Sequence, residues 1–432
     1  MDILSVTILI VVLSIFLIIL GIPIAYSLGF CTVIGILFGV GGASLVKLGL
    51  APFSIFHGLN WIPLPLFLLM AFIIGETEIG KGIFDAANKW LSYVPGGLIV
   101  SGIFAEAAMA ATMGVSGTTL LTVCTVALPE MERLGYNKEF SMSALLTGGV
   151  LGPLIPPSVP LIVYAVIAQQ SISQLFMAGV IPGILLAFML ASYAILFCFR
   201  YPESAPRPSG VRWTARIVSL KKIWPIMVLM MGILGGIYTG VVTATEAGAI
   251  GVIITLLIAI LFYQFRLLHF IRAISQASTL TGMVCLMVIA TTIFTFVVGV
   301  SGLAQSLSDF IVKLGLSPLL VIIAINVAIL ILGCIMDGLA ILMVTMPLFV
   351  PLVSYLGFDP VWFGILVTVN IEIALITPPV GLNLFLVSGT FRIPIAHLIR
   401  SVLPFLAILV VFLGLLIAFP QISLWLPSIM KR

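Results

Sequence analysis

The sequence predicts an all-α polytopic membrane protein made of two inverted repeats, each with a re-entrant helical hairpin and a discontinuous helix. Hydrophobic residues make up 62% of the chain and charged residues only 7%, with a mean hydropathy of +1.36. Soluble domains carry about 25% charged residues, so a soluble globular protein is excluded. Landmark residues recur at a constant spacing of 222 positions. At matching places in the two halves, a run long enough to cross a bilayer is interrupted by paired prolines.

A spanning helix needs about 20 apolar residues. Candidate segments lie at 3–20, 23–41, 61–76, 98–130, 141–168, 175–199, 223–241, 244–263, 278–300, 319–352, 362–389 and 401–419. The first has no basic leader and no small-residue cleavage site, so it reads as a span rather than a signal peptide. Segments 98–130 and 319–352 are too long for one helix, and each carries small polar residues at its middle. The first reads Met113-Gly114-Val115-Ser116-Gly117-Thr118-Thr119, the second Gly333-Cys334-Ile335-Met336-Asp337-Gly338. Arms of about 14–16 residues reach about 21–24 Å, short of the ~30 Å hydrocarbon core. Both segments are therefore expected to be re-entrant hairpins with tips near mid-membrane.

The breaks are Gly152-Pro153-Leu154-Ile155-Pro156-Pro157-Ser158 and Ile376-Thr377-Pro378-Pro379-Val380-Gly381. Proline removes a backbone donor and clashes with the preceding turn, so neither run forms a continuous helix. In lipid the freed carbonyls must meet protein, water or an ion. Two shorter stretches, 80–93 and 303–314, look like helices lying on the membrane surface. The first puts Ile83, Ala87, Trp90 and Leu91 on one face; the second does so with Leu303, Leu307, Phe310, Ile311 and Leu314. Residues 200–222 carry Arg200, Arg207, Arg212, Arg216, Lys221 and Lys222 against Glu203 alone. That composition marks a cytoplasmic loop, and six charges beside lipid need no nucleic-acid partner.

The linker divides the repeat. Ala25 pairs with Ala247, Gly29 with Gly251, Gly80 with Gly302, Pro129 with Pro351 and Leu134-Gly135 with Leu356-Gly357. Tyr136 pairs with Phe358, Pro156-Pro157 with Pro378-Pro379 and Pro182 with Pro404. With both termini outside and each hairpin counted as no net crossing, fourteen of the 18 Lys and Arg residues fall inside. This obeys the positive-inside bias. An odd number of crossings per repeat inverts the halves, and inverted repeats with paired broken helices point to a secondary transporter.

Small and polar groups collect at the tips and breaks: Ser116, Gly117, Thr118, Thr119, Gly152, Pro156, Pro157 and Ser158, then Asp337, Gly338, Asn370, Glu372, Thr377, Pro378, Pro379 and Asn383. Hydroxyls, amide oxygens and freed carbonyls suit a small monovalent cation, and half-helix N-termini favour an anion. No Arg or Lys falls at a predicted midplane position. Intramembrane acids mark function by default. Asp337 is the best placed; Glu372 lies about one turn before the second break, Glu106 is a further candidate, and Glu246 sits near a span's start. Glu130 and Glu132 are expected in solvent, and His57, His269 and His397 near the ends of spans. An intramembrane hydrolase would need a deep acid pair or Ser–His pair, and neither is apparent. No phosphate-binding GxxxxGK[ST] loop occurs, so the chain is not itself an ATP-driven pump. The five cysteines have no metal or CxxC spacing.

Ala127-Leu128-Pro129-Glu130-Met131, Gly135-Tyr136, Gly148-Gly149 and Ile155-Pro156-Pro157-Ser158-Val159-Pro160-Leu161-Ile162-Val163-Tyr164 resemble the large membrane subunit of tripartite ATP-independent periplasmic (TRAP) transporters. Phe176-Met177-Ala178-Gly179-Val180-Ile181-Pro182-Gly183 and Ile376-Thr377-Pro378-Pro379-Val380-Gly381-Leu382-Asn383-Leu384-Phe385 extend the resemblance over nearly the whole chain. It implies an ion-transporter-type elevator fold and sodium-driven uptake of an organic anion, often a carboxylate. A periplasmic substrate-binding protein would deliver the anion. A small four-helix membrane subunit, expected as a separate chain, would brace the scaffold. The first hairpin tip and first break would form one sodium site, and their second-half counterparts another. The family's usual Gly-Ser-Ser run is Gly114-Val115-Ser116 here, and Gly338-Leu339 follows Asp337, so backbone carbonyls are expected to share the ligation.

On this reading 1–97 and 223–318 form the scaffold with its interfacial arms, and 98–199 and 319–432 the moving transport part. The protein would sit in the bacterial inner membrane with both termini periplasmic and 200–222 cytoplasmic. A self-sufficient sodium/anion symporter of related fold and an intramembrane hydrolase are the rival readings.

Overall fold

Every regular element among the described residues is helical. The computed structural model describes residues 2–58, 61–113, 116–206, 212–313, 315–378 and 381–430. The first half runs α1 (Ile3–Ile19), α2 (Ile24–Gly35, widening into a π turn at Ile36–Val40), α3 (Val46–Phe56), α4 (Pro63–Gly75) and α5 (Ile79–Leu91). It continues with α6 (Gly97–Met113), α7 (Ser116–Arg133), α8 (Lys138–Gly148), α9 (Leu151–Leu154), α10 (Val159–Ile167) and α11 (Ile172–Arg200). The linker holds α12 (Trp213–Leu220). The second half runs α13 (Trp224–Met230), α14 (Gly236–Tyr238), α15 (Ala244–Phe262), α16 (Leu267–Val300) and α17 (Leu303–Lys313). It ends with α18 (Pro318–Gly333), α19 (Gly338–Tyr355), α20 (Pro360–Leu375), α21 (Leu382–Phe391), α22 (Ile395–Ala418) and α23 (Gln421–Ile429).

The 222-residue spacing holds between helices of the two halves. Helices α7 and α19 are both 18 residues long and start at Ser116 and Gly338. Each is followed by a left-handed glycine, Gly135 (φ 81°) and Gly357 (φ 82°), a conformation that costs other residues sterically. The halves differ most plainly before the first interfacial helix. The first has α3 and α4 where the second has the single 34-residue α16. Gly58 and Pro63 stand where the second half has Leu280 and Cys285, and Pro63 opens α4 at its first position.

Among the described residues five helices are long and apolar enough to cross a membrane, or eight spans if each bent pair counts as one. One of the five is Gly338–Tyr355, which the sequence reading treats as a hairpin arm; it packs back against α18. The expected first break bends the chain by 42° between Leu154 and Val159. Helix α5 turns 69° away from α4, as an arm leaving the direction of a span would. Ile79, Ile83, Phe84 and Ala86 form its buried face, while Ala87, Trp90 and Leu91 are half-buried.

The linker is less free than its composition suggests. Helix α12 docks on α5: Trp90 Nε1 donates to the Arg216 carbonyl (3.2 Å), and Lys222 Nζ lies 2.9 Å from Asp85 Oδ2. Trp90 and Trp213 meet edge to face at 6.3 Å, with Arg216 over the Tyr93 and Trp213 rings. Eight residues with Trp213, Ile217 and Leu220 on one side make a short amphipathic helix, which the run of basic residues hides from a composition test.

The two halves interlock where the broken helices cross. Tyr164 of α10 lies against Gly364 of α20, where a Cβ would fall 2.5 Å from the ring, and its hydroxyl donates to the Pro360 carbonyl (2.6 Å). Helix α11 seats the first break: a Cβ on Gly179 would stand 2.3 Å from the Leu154 carbonyl oxygen. Within the second half, Trp362 Nε1 of α20 donates to the Leu416 carbonyl of α22 (2.8 Å), and across the halves His397 Nδ1 of α22 lies 2.7 Å from Glu139 Oε1 of α8. His397, expected merely near a span's end, thus joins the halves.

Candidate functional site

Four helices begin around one cavity of about 460 Å³. They are α7 at Ser116 and Gly117, α10 at Val159 and Pro160, α19 at Gly338 and Leu339, and α21 at Leu382 and Asn383. Two come from each half. Three of these starts follow from local sequence. Paired prolines end α9 before Ser158, whose hydroxyl caps α10 by accepting from Leu161 N (3.3 Å). Asp337 caps α19, its Oδ1 accepting from Leu339 N and Ala340 N at 3.0 and 3.1 Å. Gly381, left-handed at φ 50°, turns the chain into α21 and offers no side-chain cap. The first amides of a helix have no intrahelical acceptor and carry its positive dipole end, so this convergence suits an anion.

The cavity also holds a polar cluster. Asn383 Nδ2 donates to Ser116 Oγ (3.0 Å), and Glu372 lines the same cavity wall. Glu372 Oε2 is buried without a partner among the described residues. Asn383 follows the second break, Ser116 starts the second arm of the first hairpin, and Glu372 stands one turn before the second break. Hydroxyl, amide and carboxylate oxygens within one apolar pocket are hard donors suited to a small monovalent cation. No Lys or Arg lines the cavity among the described residues, and no cluster of three His, Cys, Asp or Glu occurs there or elsewhere among them.

Ser116, Gly117, Asp337, Gly338, Glu372 and Asn383 thus share one cavity. Ser158, Gly152, Pro156 and Pro157 flank it through Pro153, Val159 and Pro160, which line it. The Pro156–Pro157 bond is cis. Four expected residues lie differently. Asn370 does not face the cavity: it sits across α20, donating to Asn326 of α18, because two residues along a helix is a turn of about 200°. The Thr377 hydroxyl donates to the Ile373 carbonyl of its own helix, and Pro378 offers its carbonyl to the Cys334 thiol at 3.9 Å. Thr119 is buried in α7 away from the lining. The Thr118 side chain and all of Pro379 fall outside the described residues.

Glu106 is fully buried in α6 against Gly148 and does not reach the cavity. Glu246 completes a capping box with Thr243 at the start of α15, a structural duty. Glu130 and Glu132 pair with Arg133 and Lys138 at the surface. Thr368, which the sequence reading missed, lines the cavity. Its position four residues before Glu372, on the same helical face, was the available signal. Leu280 of α16 also reaches the cavity, so the site touches a helix expected in the scaffold.

The profile of a family described as tripartite ATP-independent periplasmic transporter, DctM component, matches residues 10–422. Among relatives, the large permease protein of a C4-dicarboxylate TRAP transporter from Pseudomonas aeruginosa is 36% identical, with 85% of this chain and 86% of that protein aligned. The large permease protein of a sialic acid TRAP transporter from Vibrio cholerae is 33% identical over the same shares of the two chains. Among solved structures, the YdaH transporter of Alcanivorax borkumensis superposes with a TM-score of 0.64 at 15% identity, covering 89% of this chain and 90% of that one. MtrF of Neisseria gonorrhoeae gives 0.61 at 16% identity, covering 89% and 85%. These two likenesses concern the fold alone. The relatives are transporter permeases rather than enzymes, and the chain belongs to the DctM component family of TRAP transporters, as a large multi-pass membrane subunit.

Proposed function

We propose that this chain is the sodium-coupled permease subunit of a transporter that imports an organic anion, a carboxylate in the first instance, handed over by a periplasmic substrate-binding protein. A small four-helix membrane subunit braces the scaffold. The convergence of four helix starts on one cavity, two from each half, supports this reading most directly. Uncapped amides of α21 meet the anion. Ser116, Asn383 and the free Glu372 oxygen meet a sodium ion, whose charge offsets the acid beside the substrate. The relatives named for C4-dicarboxylate and sialic acid transport favour an anionic substrate class.

The hairpins are re-entrant and the halves inverted, so the cavity sits near the midplane. Residues 98–199 and 319–419 move as one body past the scaffold and carry sodium and anion together, an elevator form of alternating access. The protein resides in the bacterial inner membrane with both termini periplasmic and 200–222 cytoplasmic. Counterflow in proteoliposomes with purified partners tests this. Uptake should require inward-directed sodium and the binding protein. Uptake indifferent to the sodium gradient would remove the coupling.

A further inference from the structure

A cavity of about 410 Å³ opens where three helix ends meet, the start of α8, the end of α11 and the start of α22. His397, Arg400 and Ser401 line it from one face of α22, at the i, i+3 and i+4 positions. Asn137 and Glu139 line it from the start of α8, and Ser204 from the turn after α11. Phe140 and Phe197, stacked with 4.0 Å between ring centroids, and Tyr193 supply its apolar part. Donors outnumber acceptors here. The one carboxylate, Glu139, is taken by His397 Nδ1 at 2.7 Å. Asn137 uses its Oδ1 to accept from Phe140 N (2.8 Å), which leaves its amide donor. The Arg400 guanidinium and the Ser204 and Ser401 hydroxyls have no partner among the described residues. Beside the cavity, at the end of α11, Arg200 lies 5.4 Å over the Tyr201 ring, and Phe199 and Tyr201 are exposed. Aromatic and basic side chains together at the end of a spanning helix mark headgroup depth.

We propose that this cavity holds the head of an anionic phospholipid, with Arg400 on the phosphate, Ser204, Ser401 and Asn137 donating to its remaining oxygens, and the root of an acyl chain on Phe140, Phe197 and Tyr193. A guanidinium beside hydroxyls and an amide is a donor set for phosphate. Basic pockets between spanning helices at this depth take such heads. The aromatic part of the wall favours a lipid over a free phosphate ester, which would leave those rings in water. A zwitterionic head fits less well, because its ammonium would need a carboxylate and Glu139 is already engaged. The lipid would bridge α8 and α11 of the first half to α22 of the second, where the His397–Glu139 pair already joins them. The proposal is independent of sodium coupling and of the transported substrate.

The test titrates the full chain in detergent with phosphatidylglycerol or phosphatidylethanolamine of identical acyl chains, and native mass spectrometry reads the lipid retained. One phosphatidylglycerol should be held about tenfold more tightly than phosphatidylethanolamine, the worth of one charge-assisted contact. Arg400→Gln should remove that preference and Arg400→Lys should keep most of it. Arg272→Gln, on α16 and outside the cavity, should leave it unchanged. Glycerol 3-phosphate at the same concentration should not displace the lipid, since it lacks the chain. Equal retention of the two lipids by the wild-type chain would overturn the proposal with no substitution involved. So would an equal loss in Arg400→Gln and Arg272→Gln, which would reduce the effect to the basic surface as a whole. Displacement by glycerol 3-phosphate would assign the cavity to a soluble phosphate ester and overturn the lipid assignment.

Discussion

Ser116, Glu372 and Asn383 come from three helices and line one cavity wall, where Asn383 Nδ2 donates to Ser116 Oγ. Ser116→Ala and Glu372→Gln should each raise the sodium concentration for half-maximal uptake roughly tenfold, the worth of a charge-assisted bond or two. Unchanged sodium titrations would count against both assignments. Asp337 both caps α19 and lines the cavity, and substitution separates the cap from the charge. Asp337→Ala loses the α19 cap, and about 1 kcal/mol of stability should go with it. Asp337→Asn keeps a cap of similar strength, so its thermal midpoint should match wild type while its sodium response shifts with the lost charge. Asn370 shows where reading residues from the chain stops. Polarity and nearness to the break flagged it together with Glu372, but the helical turn sends the two to opposite sides of α20.

The breaks were the most legible elements, because proline acts through its own covalent structure. Replacing Pro156 and Pro157 by alanine restores two backbone donors and lets α9 and α10 join. Transport should be lost with expression retained, and normal uptake rates would refute the need for a break. What holds the break in place was not legible, since it depends on a glycine one helix away. A methyl on Gly179 would meet the Leu154 carbonyl at 2.3 Å. Gly179→Ala should therefore cost about 1–3 kcal/mol by overpacking, seen as a lower melting temperature in detergent. Helix α12 was missed for a different reason. Eight residues are too few for periodicity to outweigh six basic neighbours, and the helix depends on contacts with Trp90 and Asp85 made in three dimensions.

For the molecule as a whole, the repeat carried the architecture, since breaker residues at a constant spacing survive where side-chain chemistry diverges. The pairing of the halves could not be read from it. Tyr164 on Pro360 and His397 on Glu139 are contacts between surfaces that no spacing reveals. The central claim is that one cavity, built from helix starts of both halves, serves each side of the membrane in turn. Leu386 lines that cavity beside Asn383. The most direct measurement places a single cysteine there (Leu386→Cys) after replacing the five native cysteines. Reaction with a membrane-impermeant maleimide is then followed from each face of oriented vesicles. The account predicts labelling from both faces, slowed when sodium and substrate are present together. Labelling from one face only, unaffected by sodium and substrate, would contradict it.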